Sequence, residues 1–257
     1  MVKFVTSYSL SRVPFITYDA LDEYAEAVVR DAIPQALTTP QPIDAEIFVE
    51  YYLGLNIEYA RISGDRQILG MTAFDNGIVQ IADLKTGAPQ PFPVVKGTVI
   101  IDPTLAQKRN LPRMRFTLMH EASHWLIHRQ AFSEDNPLGS PGVYENQYLA
   151  AKEGRIDYSR KQEERTDSER IERQADFLAS ALLMPRPALR TVFREFFALY
   201  NEKPRTIVRG ASETDDCYAK LLTELVADRF GVSKRAALIR LEKLNAIGGK
   251  VIRLPTV

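Results

Sequence analysis

Three histidines, His120, His124 and His128, lie within the run Met-His-Glu-Ala-Ser-His-Trp-Leu-Ile-His at 119–128, and the chain has no others. Residues four apart on a helix project from one face, so His120 and His124 can grip a single Zn²⁺. Glu121 is turned about 100° from His120. It sits beside such an ion rather than on it, where it can take a proton from an attacking water. His128 lies two turns past His120 and roughly 80° off its face. That is too far along the axis to share one tetrahedral ion with both other imidazoles, so it reads as an outer partner or a surface residue. The plainer alternative for the pair is two core histidines bonded to carbonyls, but a metal is the one partner that satisfies two buried imidazoles at once.

A catalytic zinc site takes three protein ligands and leaves a fourth position open. The only cysteine, Cys217, reads as a small helix residue, so the third ligand falls to a carboxylate. Residues 163–184 begin charged, turn apolar and stop before Pro185, as a helix does. Ile171, Ala175, Leu178, Ala179 and Leu182 form an inward stripe, with Glu172 and Asp176 one turn apart at its edge. Glu172 is the candidate third ligand. Asp176 can accept the outer N–H of a metal-binding imidazole, which fixes the ring and raises its basicity. Glu169, one turn earlier, is the rival ligand, and a solvated carboxylate pair is the bland alternative.

These motifs resemble the ImmA/IrrE family of zinc metallo-endopeptidases. The resemblance is carried by residues 120–124, by the lead-in Arg115-Phe116-Thr117-Leu118, and by Glu172-x-x-Ala175-Asp176-x-x-Ala179-x-x-Leu182-Leu183-Met184-Pro185. Phe230-Gly231-Val232-Ser233 followed by Ile239-Arg240-Leu241 adds to it, and the likeness runs from about Asp44 to the C-terminus. It implies a zincin-like fold, Zn²⁺ held by His120, His124 and Glu172, and Glu121 as general base. It also implies cytoplasmic cleavage of a protein substrate, a helix-turn-helix repressor of a phage, mobile element or stress response. The chain departs from the family at Ser123, where Gly is usual, at Asp176, where Asn is usual, and at Leu178. The segment 125–171 is longer than the family's spacing and reads as an insertion.

Positioning these residues requires a scaffold, and the rest of the chain supplies one. At 257 residues and 45% hydrophobic content it can bury a sizeable core. Thirty-three acids balance thirty-three bases, so no global field points to nucleic acid or membrane. A single cysteine suits a reducing compartment. With no apolar run long enough for a signal peptide or a membrane span, the expectation is a cytoplasmic protein.

Asn110-Leu111-Pro112 reads as the start of the histidine helix, which runs to about Arg129. Upstream, Asp19 can cap a helix through Ile33, and Asp44 another ending at Gly54. Strand-like runs follow at 57–62, 68–74, 77–81 and 97–103. Asp75-Asn76-Gly77 signals a hairpin, and Ala88–Pro93 reads as a Pro-rich loop. A small antiparallel or mixed sheet beside the histidine helix gives an α+β fold. Residues 78–81 and 99–101 are the candidate edge strands for pairing with a substrate backbone. Residues 131–167 lose periodicity and read as a lid or a disordered loop, with Tyr144, Tyr148 and Tyr158 as candidate oxyanion donors.

Residues 206–257 read as a helical, helix-turn-helix-like module after a metallopeptidase domain at 1–205. Residues 214–230 form its first helix, and Ser233 caps the second. Lys234, Arg235, Arg240 and Lys243 give that second helix a weakly supported DNA-binding reading. A DNA-binding regulator with a structural or vestigial metal site, and a non-catalytic toxin–antitoxin partner, are therefore the alternatives to a zinc endopeptidase.

Overall fold

A computed structural model describes residues 2, 13, 15–132, 148–152 and 167–248. The fold is α+β, with a mixed sheet on one side of the histidine helix and further helices on the other. Helix α1 spans Tyr18–Ala32 and is capped by Thr17, whose Oγ1 accepts from the Ala20 amide. Asp19 therefore sits in the first turn and is not the cap. Asp44 does cap the next helix, accepting from the amides of Glu46 and Ile47 at 3.1 Å each. That helix is short: α2 (Ala45–Ile47) widens into a π-turn over Phe48–Tyr52, and Gly54 ends it at φ 68°.

Strands β1 (Asn56–Tyr59), β2 (Ile68–Ala73), β3 (Gly77–Ala82), β4 (Pro89–Val94) and β5 (Thr98–Ile101) follow. Strands β1 and β5 run parallel, and β2 pairs antiparallel with β5. A further strand, β6 (Tyr148–Lys152), pairs antiparallel with β2, giving the sheet order β1-β5-β2-β6. Two expectations about this sheet differ from the structure. Residues 99–101 form an interior strand flanked on both sides, so they offer no free edge. The turn at 75–77 does not close a hairpin, because β2 already has a partner on each edge. It also lacks the positive φ that a two-residue hairpin turn needs. Asn76 instead accepts the Lys96 amide at 2.8 Å.

The Pro-rich segment is a strand after all. It pairs with β3, with Pro89, Pro91 and Pro93 opposite Ala82, Gln80 and Ile78. The three prolines alternate, so their missing N–H groups all fall on the edge turned away from β3, the one place a strand tolerates them. Part of the segment read as a lid or loop is also ordered, as β6. Tyr144 and Tyr158 lie outside the described residues, and Tyr148 enters as the first residue of β6.

Helix α3 (Leu111–Phe132) carries the histidines. The Asn110 side chain donates to the Thr104 carbonyl at 2.8 Å. Helix α4 (Asp167–Leu183) packs along α3, and Ile171, Ala175, Leu178, Ala179 and Leu182 are all buried, as their spacing requires. Helix α5 (Arg186–Leu199) follows Pro185 directly. Helix α6 (Glu213–Phe230) ends at Gly231, whose φ of 62° is the left-handed cap that glycine adopts readily. Ser233 caps α7 (Lys234–Lys243), accepting the Ala236 amide. Two short strands, β7 (Ile207–Val208) and β8 (Ile247–Gly248), pair in parallel behind them.

Leu222, Val226, Phe230, Ala237 and Leu241 share one core with α1, α3 and α4. Arg240 turns into that core. It is fully buried, ion-paired to Asp22 of α1, and donates to the Met184 carbonyl. Lys243 lies over the Tyr18 ring, and Lys234 pairs with Glu224 at 2.6 Å. Arg240 is therefore unable to reach DNA, and of the four basic residues only Arg235 is exposed without one of these contacts. Among the described residues no helix is long and apolar enough to cross a membrane.

Candidate metal centre

The α3–α4 contact brings His120, His124 and Glu172 together, with one ligand atom from each lying within 4.8 Å of the others. His120 Nε2 and His124 Nε2 are 2.9 Å apart. Glu172 reaches His120 Nε2 at 3.3 Å and His124 Nε2 at 3.7 Å. An ion holding N and O donors tetrahedrally at its usual bond lengths spaces them roughly 3.3–3.6 Å apart. Glu169, the rival, is not part of this cluster.

Hydrogen-bond polarity tests whether these residues suit a cation. His120 Nδ1 lies 2.9 Å from Asp176 Oδ1. A carboxylate only accepts, so Nδ1 carries the hydrogen and a neutral His120 presents a bare lone pair at Nε2. That lone pair faces His124 Nε2. A divalent cation between the two nitrogens would take the place of the hydrogen that otherwise joins them, and Glu172 supplies negative charge beside the same point. The donor set fits a divalent metal of the zinc kind.

The surrounding electrostatics agree. Burial alone would lower the His120 pKa, but hydrogen bonds and charge from Asp176 and Glu172 outweigh it and hold it well above 6.5. The acids that favour a proton there also favour a metal ion. His124 is driven well below 6.5, first by burial and then by the charges of His120 and His128. His128 falls to about 4 through burial and the His120 charge, against its hydrogen bond to Gln174 Oε1. Both imidazoles are thus kept neutral, as a metal ligand and its partner must be. The histidines are buried, while the Glu172 and Asp176 side chains keep 24% and 23% of their exposure. The carboxylate side is the side of the cluster open to solvent.

Glu121 is fully buried against β2. Thr72 Oγ1 donates to its Oε2 at 2.7 Å and lies 3.1 Å from its carbonyl oxygen. Gly70, two residues earlier on the same strand face, makes room for it. A Cβ at Gly70 would stand 2.5 Å from Glu121 Oε1 and 2.8 Å from a Thr117 methyl carbon. Sequence reasoning did not single out Thr72 or Gly70. The available signal was their i, i+2 spacing, which puts a hydroxyl and a gap on one face of β2. Ser123 donates to the Met119 carbonyl at 2.7 Å, so its hydroxyl is satisfied within the helix and leaves the histidines undisturbed.

Two histidines and a glutamate converge from packed helices, with Asp176 beside them, in an arrangement that could hold a metal ion. Residues 147–242 match the Peptidase_M78 family model, described as the IrrE N-terminal-like domain. That is the family the sequence resembles, and the match supports a peptidase. It runs from the residue before β6 almost to the end of α7, so it contains Glu172 and Asp176, while the histidine helix lies upstream. No curated protein matches the chain.

Proposed function

We propose that the protein is a zinc-dependent endopeptidase of the cytoplasm that cleaves a protein substrate, a transcriptional repressor of a phage, a mobile element or a stress response. The observation that carries the chemistry is the convergence of His120 Nε2, His124 Nε2 and a Glu172 carboxylate oxygen, with Glu121, the residue after His120 on α3, buried against β2. His120, His124 and Glu172 hold the ion. Zinc, when bound there, polarises the scissile carbonyl and brings the pKa of the attacking water toward ~7.

Glu121 takes the water's proton and passes it to the leaving nitrogen. Thr72 anchors one oxygen of that carboxylate, which fixes its plane and limits the reorganisation each turnover needs. Asp176 orients His120 through Nδ1. The substrate class rests on the family resemblance and on no residue of this chain.

The test uses a quenched fluorescent casein as a general substrate, with zinc-loaded wild type beside Glu121→Gln. General acid–base help is worth roughly 10²–10⁴ in rate. The variant should keep its zinc and lose turnover by that factor. Undiminished cleavage would refute the role of Glu121, and cleavage by neither protein would leave the endopeptidase reading without support.

A further inference from the structure

His128 is not a surface residue. It is fully buried, four residues past His124, and both of its ring nitrogens are engaged. Its Nδ1 lies 3.0 Å from His124 Nδ1, and its Nε2 lies 2.9 Å from Gln174 Oε1 on α4. We infer that His128 and Gln174 are positioning residues: a directional hydrogen-bond relay, Gln174 to His128 to His124, holds His124 in the one tautomer that presents Nε2 to a metal. The inference rests on the metal site proposed above and deepens it.

The direction follows from counting donors. A Gln carbonyl oxygen accepts only, so His128 Nε2 carries the hydrogen that points to it. A neutral imidazole has one N–H, which leaves His128 Nδ1 as an acceptor. His124 Nδ1 must then be the donor across the 3.0 Å contact. With its hydrogen on Nδ1, His124 has a free lone pair on Nε2, the atom facing His120 Nε2 and Glu172. Reversing the relay would put the hydrogen on His124 Nε2, aimed into the cluster, and would block it as a ligand.

The two candidate ligands are therefore set by different means. His120 is fixed by a negative charge, Asp176. His124 is fixed by a neutral chain that ends on an amide. A carboxylate in place of His128 would bury another negative charge where His124 and its neighbours are fully enclosed, which is costly without a counter-charge. A second imidazole transmits the polarity at no charge. Gln174 also ties the relay to α4, the helix that supplies Glu172, so both sources of ligands are held in one hydrogen-bonded unit.

The experiment compares zinc affinity, by competition with a chromophoric chelator, in wild type, His128→Gln and His128→Phe. A glutamine at 128 can accept from His124 and donate to Gln174, which preserves the direction. Phenylalanine fills the volume without either function. Loss of an outer partner costs typically 10–100-fold in metal affinity. We expect His128→Phe to lose that much and His128→Gln to stay within a few-fold of wild type. Long-range ¹H–¹⁵N spectra of zinc-loaded wild type read the same point without any substitution, and should show His124 protonated at Nδ1 and His128 at Nε2.

Equal affinities for the Phe and Gln variants, or a hydrogen on His128 Nδ1, would overturn the relay. Neither readout involves turnover. A protein that binds zinc as described yet cleaves nothing would therefore sink the peptidase reading and leave the relay standing.

Discussion

Two buried polar clusters lie along α4, and they are closed in different ways. At one, Arg240 meets Asp22, while Arg186 bonds Glu26 at 2.6 Å and lies 3.9 Å from Asp22. Asp19 also reaches Arg186 at 3.7 Å from the solvent side, so both guanidiniums are met by carboxylates of the protein itself. At the other, Glu172 and Asp176 lie against imidazoles whose Nε2 atoms are 2.9 Å apart. There two carboxylates face one imidazole whose protonation they favour, so a divalent cation would supply more counter-charge than that imidazole can. The first is finished by folding, whereas the second, on the function proposed above, is finished by a ligand. That difference is what the proposed function draws on.

The largest effect should come from opening the finished cluster. Removing one partner of a buried ion pair typically costs about 3–5 kcal/mol, because the other charge is left behind. Asp22→Ala should lose stability on that scale in a denaturant titration, with Asp22→Leu combined with Arg240→Met recovering most of it. A cost below ~1 kcal/mol for the single variant would show that the cluster has less structural weight than its burial implies.

At the unfinished cluster the corresponding perturbation is chelation. An ion bound only by the folded state adds about 4 kcal/mol when present at a thousand times its Kd. Stripping zinc should lower the melting temperature of wild type and leave that of His120→Ala nearly unmoved. Equal shifts in both proteins would place the metal elsewhere.

A smaller effect is expected at Thr72. Hydrogen bonds to charged groups contribute about 1.5–3 kcal/mol. Thr72→Val should accordingly slow cleavage by roughly tenfold or more at unchanged zinc content. Unchanged turnover would remove Thr72 from the positioning of Glu121.

The smallest is at Ser123. Glycine within a helix costs about 0.5–1 kcal/mol relative to alanine, so Ser123→Gly should soften the fold slightly without altering zinc affinity. A large change in zinc affinity would mean that the hydroxyl matters to the histidines after all.

What the sequence made legible follows the same division. His120, His124, Glu172 and Asp176 were readable because helical spacing converts directly into facing side chains, and α3, α4, α6 and α7 carry clear periodicity with glycine, proline or serine near their ends. Thr72, Gly70 and Gln174 were not, because their roles depend on which strand or helix lies opposite, and one residue's spacing says nothing of that. Strand β4 was hidden by its prolines, which read as a loop until their alternation is matched to an edge. Arg240 misled because an arginine on a helix is ordinarily solvated, and only Asp22, 218 positions away, draws it inward. Strand β6 lies in a segment without apolar alternation, so its pairing with β2 left no trace in composition.

The central claim is that His120, His124 and Glu172 bind one metal ion. Its most direct test is the metal content of purified wild type beside His120→Ala, Glu172→Ala and Glu169→Ala. The account predicts near-stoichiometric zinc in wild type and Glu169→Ala, and its loss in the other two. Wild type that takes up no metal when zinc is added, or Glu172→Ala that retains it in full, would contradict the account.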